Sequence, residues 1–164
     1  MSEPILHVVL YQPEIPFNTG NVGRTCVAIG AKLWLVRPLG FQIDSRHLRR
    51  AGLDYWQHLN WEVVDDWPTV RERLAGRRFW FLSKIGSTAY TEARFEPGDA
   101  VVLGSESEGL PRSMLRDQAD RCLRIPIGPN VRSLNMSVSM AVVAYEAIRQ
   151  WRERGEELPG LECP

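Results

Sequence analysis

The sequence lacks most of what would staple, anchor or strongly charge a protein. It has three cysteines, Cys26, Cys122 and Cys163. An odd number without C-x-x-C spacing argues against a disulfide framework and against a zinc site. They read as ordinary thiols in a reducing cytosol, so a cytoplasmic protein is expected. No apolar run approaches the length of a membrane span, and the N-terminal MSEPILHVVLYQPEIP lacks the basic start and small-residue cleavage site of a signal peptide. An excess of either charge is absent too, with 20 Lys and Arg against 20 Asp and Glu. Phosphate binding needs clustered cations, so a nucleic-acid surface would have to be a local patch. Lysine is nearly missing: only Lys32 and Lys84 are not arginine among the basic residues. Arginine forks suit phosphate, but a GC-rich genome produces the same bias and is the simpler account. The three histidines, His7, His47 and His58, form no ligand spacing, so no metal is expected. His7 falls in a strand and reads as structural.

What is present is an ordinary globular composition, 164 residues with 44% hydrophobic and 24% charged. That size suits one domain with a core that needs no staples. Apolar β-rich runs at 5–11, 33–36, 61–64, 79–83, 100–104 and 122–127 alternate with helical patterns at 18–30, 45–51, 68–75, 111–118 and 134–151. Continuous apolar strands alternating with helices imply an α/β fold, a mostly parallel sheet with helices on both faces. The domain is expected over 1–151, with 152–164 a polar, frayed tail.

The last helix is apolar nearly all round. Leu134, Val138, Val142, Tyr145 and Ile148 form one stripe, and Met136, Met140, Val143 and Ala147 a second. Such a helix buries more than one side. In a domain this small it covers the sheet with one, so the other is expected to meet a second subunit.

Three segments carry chemistry. In PFNTGNVGRT (16–25), Asn18, Gly20, Asn21 and Gly23 stand where a strand turns into a helix, and Arg24 follows in its expected first turns, where the helix dipole disfavours a cation unless it has a partner such as phosphate. The segment matches neither a G-x-G-x-x-G fingerprint nor a Walker A loop. In LGSESEGLP (103–111), Gly104, Gly109, Glu106 and Glu108 follow a strand, and ligands of open α/β sheets bind beyond the carboxyl ends of strands. A plain turn explains the glycines but not the Glu-x-Glu. In RIPIGPNVRSLNMSVSM (124–140), a Pro- and Gly-rich loop leads into the last helix; it would make a wall for a flat ligand, and helix capping is a sufficient account of Ser133.

In this order and spacing, the Asn18-x₅-Arg24 pattern, the G-x-E-x-x-G-L-P loop at 104–111, and the entry Ile125-Pro126 followed by Ser133-Leu134-Asn135-x-Ser137 resemble the three motifs of the SPOUT 2′-O-methyltransferases. LRRAGLDYW (48–56) and YQPEIPFNTGN (11–21) resemble the subgroup acting on the wobble cytidine or uridine of tRNA. The resemblance runs from Ile5 to Trp151. It implies a C-terminal deep trefoil knot, which no patterning could have foreseen, and a homodimer with sites at the subunit interface. It implies S-adenosylmethionine as methyl donor, leaving S-adenosylhomocysteine, held by Leu82, Ser83, Gly104, Glu106, Gly109, Ile125, Ile127, Ser133 and Leu134. Arg24, Asn18, Ser133, Asn135 and Glu106 would form the catalytic set. Guanidinium groups rarely surrender a proton, so Arg24 reads better as a clamp on a neighbouring phosphate than as a base. Asn18, Ser133 and Asn135 would orient Arg24 and the ribose, and Glu106 would pair with Arg24 or a partner subunit. The tRNA anticodon stem-loop is the expected partner, without DNA or membrane, gripped by Arg46, Arg49 and Arg50, with Tyr55 stacking on a base. Core packing is an equally good account of Trp56. The alternatives are a non-catalytic RNA-binding module on the same scaffold, or methylation of another tRNA or rRNA nucleotide.

Overall fold

The computed structural model describes residues 3–43 and 54–162. The expected basic helix at 45–51, with Arg46, Arg49 and Arg50, lies outside them. Seven strands form one sheet: β1 (His7–Tyr11), β2 (Lys32–Val36), β3 (Asn60–Val64), β4 (Phe79–Leu82), β5 (Thr88–Ala89), β6 (Ala100–Leu103) and β7 (Cys122–Arg124). Their order is β3-β2-β1-β6-β4-β7-β5, and each adjacent pair is parallel. Among the described residues, four α-helices cover the sheet: α1 (Pro16–Ile29), α2 (Trp67–Arg73), α3 (Arg112–Leu115) and α4 (Met136–Glu153).

Side chains alternate across a strand, and the two faces build separate cores. Val8, Leu10, Leu33, Leu35 and Leu103 pack with Val22 and Cys26 of α1 and Met140, Val143, Ala144 and Trp151 of α4. Val9, Trp34, Val102 and Phe81 pack with Val70 of α2 and Leu115 of α3. A two-sided parallel sheet follows, as the apolar runs predict. Asp66 caps α2, accepting from the Thr69 backbone N–H at 2.9 Å.

β7 lies between β4 and β5, although β4 and β5 are neighbours in the chain. The connection between them crosses β7 at Gly86, where an added Cβ would stand 2.6 Å from the Cys122 carbonyl oxygen. A late strand thus sits between two strands that the chain formed earlier. The two-residue β5 has no counterpart in the sequence reading, being too short to show a period.

Three sequence expectations change. α1 begins at Pro16, not Asn18, so Arg24 lies well inside the helix and the first-turn dipole argument does not apply to it. The α4 cap is Asn135, whose side chain accepts from the Ser137 backbone N–H at 2.9 Å; Ser133 lies before the helix and does not cap it. The tail is not frayed over its described part: Leu158 and Leu161 pack on the core, and Arg152 donates to the Leu161 carbonyl at 2.7 Å.

His7 is buried and structural, its Nδ1 accepting from Trp34 Nε1 at 3.1 Å. Burial, with Lys32 adding to it, pulls its pKa down to about 4. Burial likewise pushes the Cys26 and Cys122 thiols up, which leaves them unreactive. No helix among the described residues is long and apolar enough to cross a membrane.

Candidate functional site

The carboxyl ends of β4, β6 and β7 open into a cleft of about 910 Å³. Its size lies within the ~300–1,000 Å³ usual for small-molecule sites. One wall is the loop after β6. This loop folds back through a bridge between Ser105 and Gly109, whose backbone N–H donates to the Ser105 carbonyl at 2.9 Å. The turn requires two glycines. Gly109 sits at φ 71°, and a Cβ on Gly104 would lie 2.0 Å from the Gly109 carbonyl carbon. The opposite wall is the β7–α4 connection.

Every position that the resemblance assigns to the methyl donor lines this cleft: Leu82 and Ser83 at the end of β4, Gly104, Glu106 and Gly109 in the loop, and Ile125, Ile127, Ser133 and Leu134 after β7. Asn18 and Asn135 line it too. Leu82, Leu103, Ile125, Ile127 and Leu134 supply apolar walls and the glycine loop supplies close backbone, a combination that fits a flat heteroaromatic ring with a polar tail. Among the described residues, no group of three His, Cys, Asp or Glu side chains is arranged to hold a metal.

A polar chain joins the three motifs. Glu106 accepts from the Glu14 backbone N–H at 2.7 Å through Oε2, and from the Ile15 N–H at 3.0 Å and Asn18 Nδ2 at 3.2 Å through Oε1. Asn18 Oδ1 in turn accepts from Asn135 Nδ2 at 2.9 Å, and Asn135 Oδ1 accepts from the Ser137 hydroxyl at 2.6 Å. Glu106 therefore occupies the N-terminus of α1, where free amides and the helix dipole favour an anion. It does not pair with Arg24, as the sequence reading allowed. Ile15, the local cap residue, offers no side-chain acceptor, so a carboxylate some ninety residues later does the capping.

Arg24 stands apart from this chain. It is exposed and does not line the cleft. Six residues beyond Asn18, it is turned by roughly 240° and displaced by roughly 9 Å along the helix. Asn18 and Asn135 thus bond to each other and do not orient Arg24. Its guanidinium lies 4.9 Å from the Tyr55 ring centroid, within cation–π range. The Tyr55 hydroxyl donates to the Gly20 carbonyl at 2.6 Å. Burial raises the Tyr55 pKa, with Arg24 pulling the other way. Tyr55 thus braces α1 and Arg24. Trp56 serves the core: it packs on Trp61 at 5.3 Å and leaves room for no side chain at Gly23, where a Cβ would meet it at 2.9 Å.

Sequence reasoning passed over several residues here. Lys84, Arg112, Arg124 and Arg132 also line the cleft, and none forms an ion pair among the described residues. Glu14 and Ser107 form a second contact: the Glu14 carboxylate accepts from the Ser107 N–H at 3.0 Å and its hydroxyl at 2.6 Å. Glu14 was visible only as one residue of the 11–21 stretch. On α4, the second apolar stripe is buried; of the first, Ile148 is buried, while Val138 and Tyr145, with Leu134 just before the helix, stay 49%, 52% and 37% exposed. Phe17, at the start of α1, is 73% exposed.

A model described as the SpoU rRNA Methylase family matches residues 5–145. A tRNA (cytidine(34)-2′-O)-methyltransferase of Methylovorus glucosotrophus is 48% identical over 145 residues, 87% of this chain and 94% of that protein. A solved structure described as giving structural insights into the 2-OH methylation of C/U34 on tRNA is 48% identical, with a TM-score of 0.85, covering 91% of this chain and 97% of the other. An AdoMet-bound rRNA methyltransferase from Sinorhizobium meliloti is 25% identical, with a TM-score of 0.74, covering 90% of this chain and 57% of the other.

Proposed function

The chain belongs to the SpoU methylase family, and from that premise we propose that it transfers a methyl group from S-adenosylmethionine to the ribose 2′-hydroxyl of the wobble cytidine or uridine in tRNA. The observation that carries the reading is the convergence on one cleft of all the positions assigned to the methyl donor. The relatives named for position 34 support the nucleotide.

Bound in the cleft, S-adenosylmethionine supplies a methyl carbon activated by a sulfonium leaving group. In such a transfer the 2′-oxygen would bond to that carbon as the carbon–sulfur bond breaks to give S-adenosylhomocysteine, and the hydroxyl proton would pass to an acceptor. The protein's main work is alignment, which can supply ~7–11 kcal/mol. The Asn18–Asn135 pair and the Glu106-capped α1 hold the walls between which the ribose enters. Lys84, Arg112, Arg124 and Arg132, which form no ion pair among the described residues, make the cleft favourable to an anionic strand. Arg24 acts as a clamp on the phosphate beside the target ribose, and that phosphate can relay the proton.

Arg24 does not reach its own cleft, and α4 leaves an apolar face open. A homodimer answers both: a second copy covers Leu134, Val138 and Tyr145, and Arg24 of the partner subunit completes each site. By this reading the enzyme works in the cytoplasm on the anticodon stem-loop, with Arg46, Arg49 and Arg50 contacting its backbone. Incubation with labelled S-adenosylmethionine and anticodon stem-loops tests the activity. Label should enter stem-loops with a wobble cytidine or uridine and vanish when that nucleotide is 2′-deoxy. Binding without transfer would assign the fold to a non-catalytic RNA-binding module instead.

A further inference from the structure

The loop after β6 and the segment before α1 exchange carboxylates. Glu106 of the loop accepts from the Glu14 backbone N–H, and Glu14 accepts from the Ser107 backbone N–H and hydroxyl. Helix capping explains the bond that Glu106 accepts from Ile15, the cap residue of α1. It does not explain the contact between Glu14 and Ser107, because Ser107 belongs to no helix and the Glu14 carboxylate satisfies no helix amide.

Glu14 itself is held firmly. Gln12 adopts φ 52°, a backbone conformation that non-glycine residues seldom take. Its N–H donates to the Val36 carbonyl at 3.0 Å, and Gly40 donates to the Pro13 carbonyl at 2.9 Å. Gly40 lies so close that a Cβ there would stand 2.7 Å from the Glu14 Cα. Local strain persists only where the surroundings over-determine it, and here the ends of β1 and β2 deliver Glu14 to one place. Within itself the loop it grips is closed at Ser105, which meets Gly109 through the bridge and accepts from the Glu108 N–H through its hydroxyl at 3.3 Å; Glu106, Ser107 and Glu108 stand at its tip, all lining the cleft.

We propose that Glu14 is a positioning residue that fixes the glycine loop at 104–109 as the wall of the methyl-donor cleft, so that cofactor affinity depends on a residue that does not itself line the cleft and grips the loop at Ser107. The inference rests on the proposed function for the identity of the cofactor. It adds Ser107 as the matching half of the clasp. An anchored wall loses less conformational freedom when a ligand orders it, and that saving appears as cofactor affinity rather than as RNA affinity.

The test measures calorimetric affinity for S-adenosylmethionine, affinity for an anticodon stem-loop, melting temperature and steady-state kinetics in four proteins: wild type, Glu14→Ala, Glu14→Gln and Ser107→Ala. Glu14→Ala should weaken the cofactor at least tenfold and raise its KM more than it lowers kcat, with RNA affinity within twofold. Glu14→Gln, which keeps one acceptor oxygen, and Ser107→Ala, which keeps the backbone donor, should fall between it and wild type. Cofactor affinity within twofold of wild type in both Glu14→Ala and Ser107→Ala would overturn the proposal. So would cofactor and RNA affinities that fall together in step with melting temperature. Should Glu14→Ala fail to fold, Ser107→Ala decides alone, with a threefold weakening expected. Wild-type protein that binds no S-adenosylmethionine would overturn the functional reading and this inference with it; binding by wild type with unchanged variants overturns the inference only.

Discussion

The two ends of one motif on α1 have different surroundings. At the start of the helix, Asn18 is buried, bonded to Glu106 and Asn135, and lines the cleft. Two turns later, Arg24 is exposed against Tyr55 and faces away from that cleft. One end is finished chemistry, with its polar groups already satisfied inside the subunit. The other is a cation with an aromatic brace and, among the described residues, no ion-pair partner. The difference teaches that a sequence motif need not be a single site: here its two ends lie in different surroundings on one helix, and the proposed dimer would bring the ends of different subunits together.

Four perturbations break or sharpen the contrast. Arg24→Ala should have the largest effect, a loss of methyl transfer on the order of 10²–10³-fold, with cofactor affinity within twofold by calorimetry. Equal loss of both would erase the distinction between the ends. Val138→Arg places a charge on the open face of α4. It should convert a dimer into a monomer by light scattering and cost transfer about as much as losing Arg24, while the monomer still binds the methyl donor. Replacing Arg49 and Arg50 together by alanine should weaken tRNA binding by about tenfold and flatten its dependence on salt; an unchanged salt slope would return the cluster to plain surface.

The smallest effect belongs to His7, at the opposite end of β1 from the cleft. The unfolded chain takes up this proton near pH 6.5 and the folded protein near 4, so between those values the unfolded state binds more protons. Stability should therefore fall as pH drops through that window, by up to about 3 kcal/mol. In His7→Gln the fall should be shallower by melting temperature, with activity at neutral pH little changed.

Much of this was legible in the chain. The apolar runs become the strands of a two-sided parallel sheet because their period and length leave few other solutions. The doubly apolar last helix led to the expectation of a second subunit, and part of that stripe, Val138 and Tyr145, is exposed while Ile148 is buried. What was not legible is what arrives from far away. Glu106 caps a helix some ninety residues earlier, so the sequence offered Glu-x-Glu as a ligand signal without showing that one carboxylate is consumed by α1. Asn135 took the capping role that Ser133 seemed to fill, because only the turn before Met136 decides which side chain reaches the free amide. The place of β7 between β4 and β5 is a matter of topology, and no local pattern encodes it. Glu14 gave no signal because its function is a contact, not a motif.

The central claim, that the two ends of α1 serve different clefts, is most directly tested by mixing two inactive proteins. Arg24→Ala keeps its cleft, and Glu106→Ala keeps its Arg24. Co-expressed under separate tags and purified as the heterodimer, the pair should recover about half of wild-type methyl transfer, since one complete site forms across the interface. A heterodimer as inactive as either parent would show that Arg24 serves its own subunit and would contradict the account.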